Sequence, residues 1–240
     1  MTDIKATAII TAGGLGKRFD TQGGDNLPKQ FISLSEKPLI AHSILTFENS
    51  DLVKNIVVVV PENWVEHTRR EVVEKFNLKK VFKVVSGGNE RQESVLRGLK
   101  AVPDIPDVVA VHDGVRPFVT LELVEKVITK AFEYGGAIAA IPATDTIKIS
   151  TPEHFIESTV PREKIWFAQT PQAFKYDIIS EALEKASREK YLGTDDAELV
   201  ERLGREVKIV FGSRENLKIT TPEDIKLAEL ISNSDNRNRD

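Results

Sequence analysis

The chain has 240 residues and a formal charge of −4, from 33 Lys and Arg against 37 Asp and Glu. This acidic balance argues against a general binder of nucleic acid or anionic membranes. The absence of cysteine excludes disulfides, thiolate metal sites and a cysteine nucleophile. Because no apolar leader and no membrane-spanning stretch is evident, we expect a cytoplasmic protein.

Apolar runs alternate with helical periodicity along most of the chain. The runs at 56–60 and 108–111 are apolar on both faces, which is typical of parallel strands covered by helices on each side. The pattern predicts an α/β, Rossmann-like fold with a mostly parallel central sheet, helices on both faces and a protruding β-arm. The predicted strands are Ala6–Thr11, Ile56–Val60, Val81–Val85, Val108–His112, Ala137–Ile141 and Val207–Val210, and the predicted helices are Leu39–Glu48, Trp64–Phe76, Arg91–Ala101, Leu121–Glu133, Tyr176–Glu189, Ala197–Leu203 and Glu223–Leu230.

The alternation stops between Thr144 and Phe174. Residues 146–150 and 155–160 suggest the two strands of a hairpin, and an isolated hairpin cannot bury its own apolar side chains. We therefore expect a dimerisation arm at about 144–166 that packs on a second copy of the chain, giving a homodimer; a lid over its own domain is the alternative. The rest of 1–231 is expected to form a single domain, and the polar residues 232–240 a flexible tail.

A glycine-rich turn follows the first predicted strand. Its residues Ala12, Gly13, Gly14 and Gly16 can present successive backbone N–H groups to a ligand, and Arg18 and Lys29 flank it. Such a turn suits an anionic polyphosphate. It is neither a Walker loop, since Arg18 stands where Ser or Thr is needed, nor the dinucleotide fingerprint, since Phe19 stands at the third glycine.

Two further loops follow strands of the predicted sheet and should meet the turn at its carboxyl edge. One contains Gly87, Gly88 and Ser94, and the other contains Asp113 and Arg116. An aspartate with an arginine three residues later suits a Mg²⁺-nucleotide, because the carboxylate is a hard oxygen ligand and the guanidinium a planar phosphate clamp. His112 is expected to orient its neighbours rather than to bind metal.

Five ordered segments carry a family resemblance: GGNERQESV, VHDGVRPF, the stretch from Arg162 through QTPQAF, GTDDA and LKITTPED. Together with the glycine-rich turn and Pro28-Lys29, they resemble the 2-C-methyl-D-erythritol 4-phosphate cytidylyltransferase family, within the sugar-phosphate nucleotidyltransferases. The resemblance implies transfer of CMP from CTP to methylerythritol phosphate with release of pyrophosphate, in non-mevalonate isoprenoid biosynthesis. Ribitol-5-phosphate cytidylyltransferase resembles the chain in several of the same segments, and the loop Thr21–Asn26 is longer than usual for the first family. A catalytically inactive nucleotide-binding module is the alternative from another class.

The resemblance also implies a role for each matching residue. Arg18 and Lys29 would be the cations that stabilise the transition state. Arg162, Lys218, Thr170 and Arg116 would contact the acceptor, with Arg162 reaching into the partner's site. The nucleotide would be held by Ala12, Gly13, Gly14, Gly16, Gly87, Gly88, Ser94 and Asp113, with Ser94 in the segment that recognises cytosine and Asp113 the ligand of Mg²⁺ or another divalent ion. Thr194 and Asp195 match the family too, although capping of the helix after them explains both nearly as well.

Overall fold

The computed structural model describes residues 4–13 and 27–237. Gly14, Gly16, Arg18 and the Thr21–Asn26 loop therefore lie outside the described residues. Within the described part, seven strands form one sheet in the order β11-β7-β10-β6-β1-β4-β5, and two short pairs, β2-β3 and β8-β9, stand apart from it. The strands are β1 Ala6–Thr11, β2 Ser33–Leu34, β3 Lys37–Pro38, β4 Val53–Val60, β5 Val81–Ser86, β6 Val108–Asp113, β7 Gly136–Pro142, β8 Ile147–Ser150, β9 Ile156–Val160, β10 Trp166–Lys175 and β11 Lys208–Phe211.

Helices cover both faces of this sheet, as the apolar runs predicted. The helices are α1 Leu39–Glu48, α2 Val65–Thr68, α3 Arg91–Lys100, α4 Leu121–Tyr134, α5 Tyr176–Glu189, α6 Asp196–Glu201 and α7 Pro222–Arg237. On one face α1 and α4 bury Phe47 and Ile128 against the sheet. On the other, α3, α5 and α6 bury Val95, Leu183 and Leu199. The predicted α/β class is confirmed.

The central strands of the sheet lie parallel, and β10 is the exception. Strand β1 pairs in parallel with β4 and β6, whereas β10 runs antiparallel between β6 and β7. The sequence did not predict β10, because Pro171 and three polar residues interrupt its apolar pattern. A register shift between Ala168 and Gln172 and a cis Thr170–Pro171 bond accommodate this polar segment. The sheet is therefore mixed but mostly parallel.

Three helices differ from their predicted bounds by more than one residue. The helix expected over Trp64–Phe76 is a short α2 followed by a π-helical turn at Arg69–Glu74. Helix α6 begins at Asp196 and ends at Glu201. Helix α7 continues to Arg237, past its expected end at Leu230, so residues 232–237 of the expected tail are helical. None of the helices within 4–13 and 27–237 is long and apolar enough to cross a membrane.

The expected arm is present as a hairpin. Strands β8 and β9 pair antiparallel and form a sheet of their own. The apolar side chains of the hairpin are exposed, namely those of Ile149, Phe155 and Ile156. A short 3₁₀ turn at Arg162–Lys164 connects the hairpin to β10.

Candidate active site

A cavity of about 180 Å³ lies at the carboxyl end of the parallel strands. The end of β1, the 3₁₀ turn at Lys29–Phe31, the start of α3, the end of β6 and the loop before α7 all contribute to its wall. The topology explains this convergence, because the loops that follow parallel strands meet at one edge of a sheet. The lining residues that the sequence predicted are Ala12, Gly13, Lys29, Gly88, Ser94, Asp113 and Lys218.

Asp113 ends β6 and is surrounded by cations. Its carboxylate lies 3.0 Å from Lys218 Nζ, 3.4 Å from Arg91 Nε and 3.5 Å from Arg116 Nε. Burial alone would raise the pKa of Asp113, but the charges of Arg91, Lys218 and Arg116 outweigh it and hold the pKa well below its usual range. The carboxylate is therefore ionised at neutral pH.

Arg91 joins this cluster to a second buried carboxylate. Its Nη2 lies 2.7 Å from Asp196 Oδ2, at the first residue of α6. Burial works against the charge of Arg91, but the two carboxylates raise its pKa. Burial also raises the pKa of Asp196, and Arg91 opposes that effect. The guanidinium is thus fixed at the cavity wall between two acidic residues.

Beneath Asp113, hydrogen bonds fix the end of β6. The backbone N–H of Asp113 donates to Thr170 Oγ1 at 3.1 Å, and Thr170 Oγ1 lies 3.0 Å from His112 Nδ1. His112 Nε2 lies 3.3 Å from the carbonyl oxygen of Arg116, which can only accept, so this nitrogen carries the proton. Burial lowers the pKa of His112 to about 3. Both ring nitrogens are engaged, so the histidine orients its neighbours as expected.

Ser94 closes the loop that follows β5. Its Oγ accepts from the backbone N–H of Gly88 at 3.0 Å and donates to the carbonyl of Glu90 at 3.2 Å. A Cβ at Gly13 would lie 3.1 Å from this oxygen, and one at Gly87 only 2.8 Å from it. The two glycine loops can therefore approach each other only without side chains, which leaves the backbone of both facing one narrow space.

Known proteins are similar to this chain over nearly its whole length. The sequence model of the IspD family, 2-C-methyl-D-erythritol 4-phosphate cytidylyltransferase, matches residues 6–234. The chain belongs to this family. The cytidylyltransferase of Geotalea uraniireducens is 47% identical over 238 residues, which cover 98% of this chain and 100% of the relative. That of Geobacter metallireducens is 48% identical over 227 residues, with 93% of this chain and 96% of the relative covered.

Solved structures agree with the family assignment. The crystal structure of 4-diphosphocytidyl-2C-methyl-D-erythritol synthase from Anaerococcus prevotii has a TM-score of 0.85 at 30% identity, covering 96% of this chain and 97% of that one. The cytidylyltransferase from Thermus thermophilus has a TM-score of 0.75 at 31% identity, covering 95% and 98%. The predicted fold and cytidylyltransferase activity, in non-mevalonate isoprenoid biosynthesis, are confirmed.

Among the predicted site residues that the structure describes, four lie outside the cavity wall. Thr170 and Arg116 lie behind Asp113 and contact it, and Gly87 packs behind Ser94. Arg162 is different, because its Nη1 donates to the carbonyl of Thr144 at 2.7 Å at the base of the hairpin. Within one copy of the chain, Arg162 is thus separate from the cluster around Asp113.

The pair Thr194-Asp195 caps helix α6. Asp195 Oδ1 accepts from the backbone N–H of Glu198 at 2.9 Å, which confirms the predicted cap. The Glu198 carboxylate accepts from the backbone N–H of Thr194 at 2.6 Å. In a standard capping box it would accept from the backbone N–H of the cap residue itself, here Asp195. The buried Gln172 side chain completes the cap, since its Oε1 accepts from the backbone N–H of Asp196 at 3.1 Å.

Sequence reasoning missed several residues that build the candidate site. Arg91 lies in the GGNERQESV segment, and the sequence predicts for it only the start of a helix. Gln30 was given no role, and its Nε2 donates to the carbonyl of Ala12 at 2.7 Å, tying the Lys29 turn to the glycine-rich loop. Asp196 belongs to the GTDDA segment, and the sequence predicts no ion pair for it. The missed signal is the position of Arg91, directly after a glycine loop and on the first turn of a helix at the carboxyl edge of the sheet.

Proposed function

We propose that the cavity binds CTP and, beside it, 2-C-methyl-D-erythritol 4-phosphate, and that it joins the two with loss of pyrophosphate. The observation that carries this proposal is the convergence of Lys29, Ser94, Asp113 and Lys218 on one cavity from four distant parts of the chain. A phosphate oxygen of the acceptor attacks the α-phosphorus of CTP, and the bond to the β-phosphate oxygen breaks. Because a phosphate monoester is largely ionised at pH 7, the nucleophile needs no base, and the site needs cations instead.

The nucleotide fits the glycine side of the cavity. Gly13 and Gly88 offer backbone groups there, and the Ser94 hydroxyl fixes the loop that would face cytosine. Lys29 lies on the same wall and can neutralise charge that develops on the α- and β-phosphates. Arg18 would share this task; it falls in the segment that the structure does not describe.

Asp113 fits the role of a ligand for Mg²⁺. The ionised carboxylate is a hard oxygen donor that faces the cavity. Within residues 4–13 and 27–237, no cluster of three acidic or histidine side chains could hold a metal by itself. A Mg²⁺ ion here would therefore share Asp113 with nucleotide phosphates, as is usual for this ion. Its chemistry would be to neutralise phosphate charge and orient the leaving pyrophosphate.

The acceptor phosphate fits the opposite side, where Lys218 and Arg116 lie against Asp113. Arg162 is held at the foot of the hairpin, away from this cluster in its own chain. The exposed apolar side chains of the hairpin, including Phe155 at 73% exposure, favour burial against a second copy. We therefore propose a homodimer in which the Arg162 of one chain completes the acceptor site of the other.

The first experiment compares acceptors. Purified enzyme is given CTP, Mg²⁺ and either methylerythritol phosphate or ribitol 5-phosphate, and pyrophosphate release is measured. We expect turnover with methylerythritol phosphate and little with ribitol phosphate, because the family model and both named relatives carry the methylerythritol name. Equal or faster turnover with ribitol phosphate would contradict the proposed acceptor.

The second experiment tests the shared site. Arg162→Ala and Lys29→Ala chains, each with little activity alone, are mixed under conditions that exchange subunits. One of the two sites in a mixed dimer would then keep both Lys29 and the partner's Arg162, so part of the activity should return. Heterodimers proven by mass spectrometry that show no recovery would refute the shared site, as would a monomeric mass of the wild-type chain in light scattering.

A further inference from the structure

Asn216 lies in the loop between β11 and α7, two residues before Lys218, and its side chain is completely buried. Its Nδ2 donates to the carbonyl of Thr170 at 2.9 Å and to Gln169 Oε1 at 3.3 Å. Its own backbone carbonyl accepts from Arg116 Nη1 at 2.6 Å. One residue thus connects β10, the loop after β6 and the loop that carries Lys218.

The hydrogen bonds allow only one orientation of the two amides. Gln169 Nε2 faces the carbonyls of Ser213 at 2.8 Å and of Asn216 at 3.4 Å, and a carbonyl can only accept. Gln169 must therefore turn its oxygen towards Asn216. Since Thr170 also offers a carbonyl, Asn216 must present its NH₂ to both. A hydroxyl or carboxylate at position 216 could not make the same pair of bonds.

These bonds hold two cations of the Asp113 cluster. On the far side of Lys218, the backbone N–H of Ile219 donates to the carbonyl of Val115 at 2.9 Å. The backbone of Lys218 is therefore fixed on both sides while its Nζ lies 3.0 Å from Asp113. The same Asn216 carbonyl holds one arm of the Arg116 guanidinium, whose Nε faces Asp113 at 3.5 Å.

We propose that Asn216 is a positioning residue for the transfer reaction, and that it sets where Lys218 and Arg116 meet the acceptor phosphate. Asn216 does not line the cavity, so it acts through Lys218, which does, and through Arg116, which contacts Asp113 from behind the cavity wall. The inference rests on the proposed function, which assigns Lys218 and Arg116 to the acceptor. Without the Asn216 side chain the loop would sample several positions, and binding would have to order it again.

The experiment measures KM for each substrate in Asn216→Ser. We expect KM for methylerythritol phosphate to rise about tenfold, the equivalent of one or two lost hydrogen bonds, and KM for CTP to change less than about twofold. Gly212→Ala should disturb the hydrogen bond between Gln169 and Asn216 without changing Asn216, because the new Cβ would lie 2.2 Å from Gln169 Oε1. Gly212→Ala should also raise KM for methylerythritol phosphate. It keeps the test decisive if Asn216→Ser folds poorly.

A control variant separates positioning from loss of stability. Ser50→Ala removes a hydrogen bond of another buried side chain, from Ser50 Oγ to Glu125 at 3.0 Å, away from the cavity. It should lower the melting temperature and leave both KM values unchanged. If Asn216→Ser behaves in the same way as Ser50→Ala, the inference is overturned.

A double variant separates this inference from the proposed function. If Asn216 acts through Lys218, Asn216→Ser should raise KM for the acceptor much less in a Lys218→Ala background than in the wild type. Fully multiplicative effects would overturn the positioning role alone. A Lys218→Ala enzyme with unchanged KM for the acceptor would overturn the acceptor assignment, and the inference with it.

Discussion

Asp113→Asn tests the electrostatic core of the site, since it keeps the shape of the side chain and removes its charge. Arg91, Arg116 and Lys218 then face one another with Asp196 as the remaining carboxylate of the cluster. Arg91 keeps its 2.7 Å contact with Asp196. Arg116 and Lys218 lose the carboxylate that balances them, so the folded state should become less stable.

The expected loss can be estimated from burial. Removing one partner of a buried ion pair costs about 3–5 kcal/mol, because the remaining charge stays buried and unbalanced. The side chains of Asp113 and Arg116 are 8% and 11% exposed, but that of Lys218 is 40% exposed and partly hydrated. We therefore expect about 3 kcal/mol, from the lower end of that range. At about 2–4 °C per kcal/mol for a chain of this size, the melting temperature should fall by about 6–12 °C.

Thermal unfolding with and without pyrophosphate measures this effect. Pyrophosphate should stabilise Asp113→Asn more than the wild type, because an anion replaces the missing carboxylate among the cations. Turnover should fall on the order of a hundredfold or more if Asp113 organises the metal-nucleotide. The matched control is Asp107→Asn, which changes an exposed aspartate just before the opposite end of β6. If Asp113→Asn melts within about 2 °C of the wild type, the reasoning is refuted. Equal stabilisation of Asp113→Asn and the wild type by pyrophosphate would also refute it.

Three further predictions concern single residues. Lys29→Ala should lower kcat on the order of a hundredfold, as loss of a charge-stabilising donor does, and unchanged turnover in the pyrophosphate assay would contradict its role. The unfolding free energy of the wild type should decrease as pH falls from about 6.5 towards 4, because the unfolded chain takes up a proton that the folded His112, with its pKa of about 3, excludes. His112→Gln should reduce this slope in urea unfolding, and an identical slope in both proteins would count against it. Gly98→Ala should cost about 1–3 kcal/mol in the same measurement, since its Cβ would lie 2.6 Å from Ile9 Cγ2 in the packed sheet; a neutral result would show that α3 can move.

The elements that sequence reasoning found are those whose burial is continuous. Strand β1 and helices α1 and α5 begin and end where the pattern placed them, because each presents an unbroken apolar run or stripe to the core. The position of Asp113 followed from the same argument, since the end of a buried parallel strand must lie at the carboxyl edge. Fold class and half of the site were predictable for this reason.

Strand β10 could not be predicted from its apolar content. Its centre is the polar segment Gln169–Gln172, yet all four residues are buried between β6 and β7. Their polar groups bind distant parts of the chain: Gln172 caps α6, and Gln169 and the Thr170 carbonyl bind Asn216. The Thr170 hydroxyl binds the end of β6. A polar segment whose partners lie in other loops shows no apolar periodicity along the sequence. It therefore resembled a loop between two elements.

The pairing of Arg91 with Asp196 shows why the other half of the site needed coordinates. The two residues are separated by 105 positions, and each has an ordinary local explanation at the start of a helix. Only the folded chain brings the first residues of α3 and α6 into contact. The sequence does show charged residues at positions where burial is expected. Asp113 ends an apolar strand, and Arg91 follows a glycine loop. Such charges can remain buried only if they balance one another, so each one implies a partner elsewhere in the chain. In the proposed function, the cations that balance Asp113 also bind two anionic substrates, so stability and function would depend on the same contacts.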